Sequence, residues 1–256
     1  MRLGWRGVHG PRRTWENRLP QLDSSVRAEE SAVAEQRLPA AVLWDMDGTL
    51  IDTEPQWIGA EMALSRAHGG TWDEGLAMEL IGKALTDSAA LLRERAGIPL
   101  GDEELVEALI GQVVEKVRAG EAAWRPGAVE LLAALRAAGV PCVLVTMSYA
   151  RLADVVVDML PPGSFAARVT GDMVTRGKPH PEPYLTAAER IGVDIADCVA
   201  IEDSVPGVAS ALASGARVLG VPAHVPLQAE PGVRIIETLA RVAPTDLLPL
   251  TDPDAA

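Results

Sequence analysis

Cysteine is scarce in this sequence. Of 256 residues only two are cysteines, Cys142 and Cys198. Both sit inside apolar runs, "GVPCVLV" and "ADCVAI". They read as buried free thiols rather than a disulfide, which suits a reducing cytoplasm, and the chain is expected there. Long hydrophobic runs are missing as well. No apolar stretch approaches the ~20 residues that a membrane-spanning helix needs, so no membrane is expected as a partner. Positive charge is in deficit, with 23 basic residues against 36 acidic ones and a net charge of −13. Nucleic-acid binding calls for a basic patch, so no nucleic-acid partner is expected. An anionic small molecule is still admissible, because local charge decides that.

The beginning of the chain lacks hydrophobic periodicity. Residues 1–38 are mixed arginines, prolines, glycines and acids, with no apolar segment of the kind a secretory signal carries. Glu29, Glu30 and Glu35 speak against a transit peptide. Residues 1–38 are read as a disordered N-terminal extension, the product of a start codon placed too early, and are set apart from the fold.

From residue 40 the pattern changes. Short apolar runs at 41–45, 142–146, 167–171, 198–203 and 216–221 are rich in Val, Ile and Leu. They are continuous rather than alternating, as in parallel strands covered on both faces. Helical stretches at 127–138, 149–160, 182–191 and 205–214 stand between them, and Gly139, Gly192 and Gly215 follow three of these at the usual helix-stop position. The expected fold is α/β, a doubly wound parallel sheet. One connection is far too long for a simple crossover. Between Asp45 and Cys142 lie "QWIGAEMALSRAH", "DSAALLRERAG" and "DEELVEALIGQVVEKVRAG", which read as amphipathic helices. Residues 55–121 are therefore expected to form an inserted helical cap, with core at 39–54 and 122–243 and a short tail at 244–256. Ligands bind beyond the carboxyl ends of such strands, where a cap in this position would cover them. The segments near 52–56 and 121–126 are its expected hinges.

Polar chemistry gathers at four expected strand or loop ends. "DMDGTL" places Asp45 and Asp47 two residues apart, on one side of an extended chain, where their charges repel and call for compensation. "VLVTMS" supplies Thr146 and Ser148, "GKPHPEPYL" supplies Lys178, and "IEDSVPG" supplies Glu202 and Asp203. Each alone has a plain structural explanation as a turn, a helix cap or a solvated side chain. Together they put carboxylates, hydroxyls and an ammonium at one end of one sheet.

These four segments, in this order and spacing, resemble the motifs of the haloacid dehalogenase superfamily across about residues 40–222. The helical insertion is similar to that of its β-phosphoglucomutase-like and sugar-phosphate phosphatase group. The resemblance implies a Rossmann-like core and an aspartate nucleophile, Asp45, attacking phosphorus. Asp47 would serve as general acid and then as general base, with Thr146 and Lys178 completing the catalytic set. It implies Mg²⁺ as cofactor, held by Asp45, the Asp47 carbonyl, Asp203 and the nearby Glu202. Met46, Met147 and Ser148 fall at substrate-binding positions, and Lys83, in "LIGKALTDSA", is the candidate specificity residue of the insertion. The second aspartate favours phosphoryl transfer over carbon–halogen cleavage. A phosphosugar mutase is the alternative. Trp57 stands where mutases carry a histidine and Leu85 where they carry an arginine, so a phosphatase of a small phosphorylated metabolite is expected. Trp57 and Glu61, one helical turn apart, either face the site or pack the cap. His68, His180 and His224 show no metal-ligand spacing. A monomer is expected.

Overall fold

The computed structural model describes residues 38–248. Residues 1–37 of the expected extension over 1–38, and the end of the tail, 249–256, lie outside the described residues. The chain runs β1 (Ala41–Trp44), β2 (Ile51–Asp52), α1 (Glu54–Ala67), α2 (Glu74–Met78), α3 (Leu85–Ala96), α4 (Asp102–Arg118) and β3 (Ala123–Trp124). It continues α5 (Ala128–Ala137), β4 (Cys142–Val145), α6 (Ala150–Asp158), β5 (Ala167–Val169), α7 (Glu182–Ile191), β6 (Cys198–Glu202), α8 (Val205–Ser214), β7 (Arg217–Gly220) and β8 (Val233–Ile235). Six strands pair in parallel in the order β5-β4-β1-β6-β7-β8.

Successive side chains of a strand point to opposite faces, and here both faces are covered. Val42 and Trp44 join Leu131, Leu135, Leu152 and Val156 of α5 and α6. Ala41 and Leu43 join Tyr184, Ala187, Val208 and Ala211 of α7 and α8. That is why β1 is apolar at every position. Trp44, Leu43, Leu131 and Leu132 are each less than 2 % exposed, and burying such a side chain contributes about 1.5–3 kcal/mol. Cys142 and Cys198 are buried and unpaired, as their surroundings in sequence implied.

The five expected strands are present, and the helices α5–α8 fall where their periodicity placed them. β5 is shorter than expected, because Gly171–Met173 turns into a single 3-10 turn. β8 was not anticipated. It is three half-buried residues at the sheet edge, too short to show a period. The same holds for β2 and β3, two residues each, which pair antiparallel as Ile51↔Trp124 and Asp52↔Ala123. This ribbon brings the two ends of the insertion together. Between them α4 buries Leu105, Leu109, Ile110, Val113 and Val117 against α1, α3 and the core helix α6. The core also reaches beyond residue 243, since Leu247, in the turn Pro244–Leu247, is fully buried. No helix among the described residues is long and apolar enough to cross a membrane.

Candidate active site

From β1 the chain builds outward in one direction through β4 and β5 and in the other through β6, β7 and β8. The carboxyl end of β1 is therefore the switch point where open α/β sheets bind ligands. Asp45 sits there, 6 % exposed, with its backbone N–H donating to the Ile201 carbonyl at 3.0 Å. Lys178 arrives from the loop between β5 and α7. Its Nζ donates to Asp45 Oδ1 at 2.6 Å, to Glu202 Oε1 at 2.6 Å and to the Val145 carbonyl at 3.0 Å. An ammonium has three N–H donors, and all of them are engaged. Glu202 is held further by the Tyr184 hydroxyl on Oε1 and by Ser204 Oγ on Oε2 at 3.2 Å. Asp203 Oδ1 accepts from Thr49 Oγ1 at 3.0 Å. Gly48 packs so closely that a Cβ there would lie 2.2 Å from Asp203 Oδ2.

One oxygen from each of Asp45, Glu202 and Asp203 lies within 4.8 Å of the others, and among the described residues only Lys178 offsets them at contact distance. Burial pushes the Asp45 carboxyl well above the usual range; Lys178 pulls it back, while Glu202, Asp203 and Asp47 push it higher. Asp203 is raised to about 8, first by burial and then by Glu202. Burial also disfavours the Lys178 ammonium, but Asp45 and Glu202 outweigh it and hold its pKa above the ordinary lysine value. Asp45 Oδ2 is buried without a hydrogen-bond partner. Buried carboxylate oxygens in excess of the positive charge, one of them orphaned, fit a hard dication such as Mg²⁺, which prefers oxygen ligands.

Asp47 accepts from four side chains. Thr53 Oγ1 (2.5 Å) and Trp57 Nε1 (3.3 Å) donate to Oδ1, and Thr146 Oγ1 (3.0 Å) and Ser148 Oγ (2.8 Å) donate to Oδ2. Thr146, expected in the catalytic set, and Ser148, expected at the substrate, are here engaged on Asp47. Three of these donors are hydroxyls that can turn and become acceptors; the indole N–H cannot. The Met46 side chain lies in the core, so only its backbone is available to a ligand. Met147 lines the cavity, and its sulfur accepts from the Lys178 backbone N–H at 3.2 Å.

The cavity next to Asp45 and Asp47 is walled on its other side by the insertion. Trp57, Glu61, Lys83 and Leu85 all line it, and Trp57 also packs in the hydrophobic core, so that residue both faces the cavity and packs the insertion. Glu61 also accepts from Trp72 Nε1 at 3.0 Å. His224 pairs with Asp52 at 2.8 Å. Sequence reasoning missed Thr49, Thr53, Glu54, Tyr184 and Ser204. Thr53 and Glu54 stand in "IDTEP" and Tyr184 in "GKPHPEPYL", but nothing local to those segments says which polar side chain turns inward.

Residues 39–215 match the family model of the haloacid dehalogenase-like hydrolases. The chain belongs to that family, and within it stands among phosphatases. It is 33 % identical over 193 residues to hexitol phosphatase A of Escherichia coli strain K12, a match covering 72 % of this chain and 84 % of that one. It is 31 % identical over 192 residues to the bifunctional riboflavin kinase/FMN phosphatase of Arabidopsis thaliana, covering 73 % of this chain but only 49 % of that longer protein. Among solved structures, CbbY from Rhodobacter sphaeroides in complex with phosphate matches with a TM-score of 0.75 at 27 % identity, over 82 % of this chain and all (100 %) of that one.

Proposed function

We propose that this chain hydrolyses the phosphate monoester of a small sugar or polyol through an aspartyl-phosphate. The observation that carries the reading is the Asp45 carboxylate. It sits at the switch point in the wall of the cavity, Oδ1 tied to Lys178 and Oδ2 without a partner. In the first step the Asp45 carboxylate attacks phosphorus and the bond to the leaving alkoxide breaks. Asp47 gives that oxygen its proton. In the second step Asp47 takes a proton from water, whose oxygen attacks phosphorus. The bond to Asp45 then breaks and inorganic phosphate leaves. Covalent catalysis of this kind divides one difficult displacement into two easier ones.

Lys178 restrains the charge on Asp45 throughout. The Thr146 and Ser148 hydroxyls and the Met147 amide take phosphate oxygens, the hydroxyls turning away from Asp47 to do so. Mg²⁺ would be held by Asp45, Asp203 and the Asp47 carbonyl, with Glu202 adjoining, and supplies the neutralising charge that lets an anionic nucleophile meet an anionic phosphate. Residues 55–121 act as a cap and exclude bulk water. In support, Gly82 of the insertion packs against the core so closely that a Cβ would stand 2.8 Å from the Ser204 side chain. The protein works as a monomer in the cytoplasm.

The relatives named above include a hexitol phosphatase, which favours a polyol or sugar leaving group. The test is phosphate release from a panel of sugar, polyol and nucleotide monophosphates, with Mg²⁺, with EDTA and with Asp45→Asn. Metal-dependent release that the variant loses is expected. No release from any substrate by folded protein, with isomerisation once a sugar bisphosphate is added, would assign a phosphosugar mutase instead.

A further inference from the structure

The far wall of the cavity is acidic. Glu54, Trp57 and Glu61 occupy positions i, i+3 and i+7 of α1 and line the cavity together, as residues on one helical face do. Glu54 is only 9 % exposed, and among the described residues its carboxylate has no hydrogen-bond partner; its surroundings act on it through burial and the charges of Asp47, Glu61 and Asp52. Glu61 is 5 % exposed. Its Oε2 accepts from Trp72, and its Oε1 is left for another donor. Burial raises Glu54 to about 8 and Glu61 to about 7. Ionised or neutral, a carboxyl group accepts from a hydroxyl, and when neutral it also donates to one.

Positive charge is poorly placed to help a second anion here. The three N–H donors of Lys178 are spent on Asp45, Glu202 and Val145. Lys83 reaches the cavity only from an exposed position. Trp57, Leu85 and Leu109 line the same cavity and add apolar surface suited to the C–H faces of a carbon chain. A leaving group with several hydroxyls and no charge satisfies both halves of this wall. One carrying a carboxylate or a second phosphate meets two buried acids.

The geometry points to Glu54 and Glu61 as specificity-determining residues: they bind the hydroxyls of a neutral, polyhydroxylated leaving group and, where ionised, turn away leaving groups that are themselves anionic. This rests on the phosphatase reading above and narrows it. A buried polar group left unpaired by the wrong substrate discriminates strongly.

The experiment compares kcat/KM for a hexitol 6-phosphate, 2-phosphoglycolate and phenyl phosphate in the wild type, Glu54→Gln and Glu61→Gln. Phenyl phosphate has neither hydroxyls nor a second charge, so its turnover reports the phosphoryl-transfer centre and the folding of each variant. The wild type is expected to prefer the hexitol phosphate over phosphoglycolate by a factor on the order of ten or more. In each variant the hexitol-to-phenyl ratio is expected to fall roughly ten-fold, while the phosphoglycolate-to-phenyl ratio rises. Glu61→Gln keeps an acceptor for Trp72 and serves as the second variant should Glu54→Gln fold poorly. Unchanged ratios in the variants, or a wild type that prefers phosphoglycolate, overturn the inference alone. Absence of Mg²⁺-dependent release from all three substrates overturns the phosphatase reading and the inference with it.

Discussion

Lys178 is the residue on which the charge balance of the site turns. It is 4 % exposed and bridges Asp45 and Glu202. Replacing it with methionine keeps the volume but leaves two buried carboxylates without their counter-charge. Lys178→Met is expected to lower the unfolding free energy by about 3–5 kcal/mol and to abolish turnover, as read by urea denaturation and phosphate release. A loss below about 1 kcal/mol would mean that the pair behaves like a solvent-exposed one. Glu61 makes a different claim. Burial raises it to about 7 from the ordinary 4.5, against the Trp72 hydrogen bond that lowers it. Folded protein therefore holds this proton more tightly than unfolded chain. The stability it lends is complete below the ordinary value and is lost as pH rises through about 7. Glu61→Gln cannot ionise, so its stability relative to wild type should grow by about 1–3 kcal/mol between about pH 5 and about pH 8. Urea unfolding at the two pH values measures this, and a constant difference contradicts it.

At the scale of elements, the β2–β3 ribbon joins the insertion to the core. β2 and the residue that follows β3 are tied to the same segment after β7: Asp52 to His224 at 2.8 Å, and Arg125 Nη2 to the Pro222 carbonyl at 3.1 Å. Helices α1 and α4 lie immediately beyond the ribbon, which is why 52–56 and 121–126 are proposed as the hinges on which the insertion swings. Hydrogen exchange in these two segments is expected to slow when vanadate, a phosphate mimic, is added with Mg²⁺. Equal exchange with and without the mimic would remove the hinge. This element escaped sequence reading because two-residue strands carry no period. The same is true of α2, five residues long. By contrast α4, at 17 residues, repeats its apolar face often enough to be unmistakable.

For the whole molecule, a net charge of −13 adds a diffuse repulsion to the local one among Asp45, Glu202 and Asp203. A dication bound only by the folded state stabilises it by mass action, about 2.7 kcal/mol at a hundred-fold excess over Kd. For a chain of this size that is a rise in Tm of roughly 5–10 °C. Mg²⁺ is expected to raise the Tm, EDTA to reverse the rise, and Asp203→Asn to suppress it. A wild-type Tm indifferent to Mg²⁺ would contradict the metal site without recourse to activity.

What the sequence determined by itself was local or repetitive. Continuous apolar runs announced strands covered on both faces, 3.6-residue periods announced the long helices, and "DMDGTL", "GKPHPEPYL" and "IEDSVPG" announced the polar ends that meet at the switch point. These are legible because strand and helix periodicity, and the turn that follows a strand, depend on neighbours in the chain. Tertiary structure decided the rest. Lys178 reaches Asp45 across 133 residues, Thr146 reaches Asp47 across 99, and His224 reaches Asp52 across 172. No short window of sequence holds such a distance. The inward turn of Glu54, the grip of Tyr184 on Glu202 and the orphaned Asp45 Oδ2 arise only when packing removes water from around them. A carboxylate acquires its chemistry from what surrounds it in space, and that is settled by the folded sheet rather than by the residues beside it in the chain.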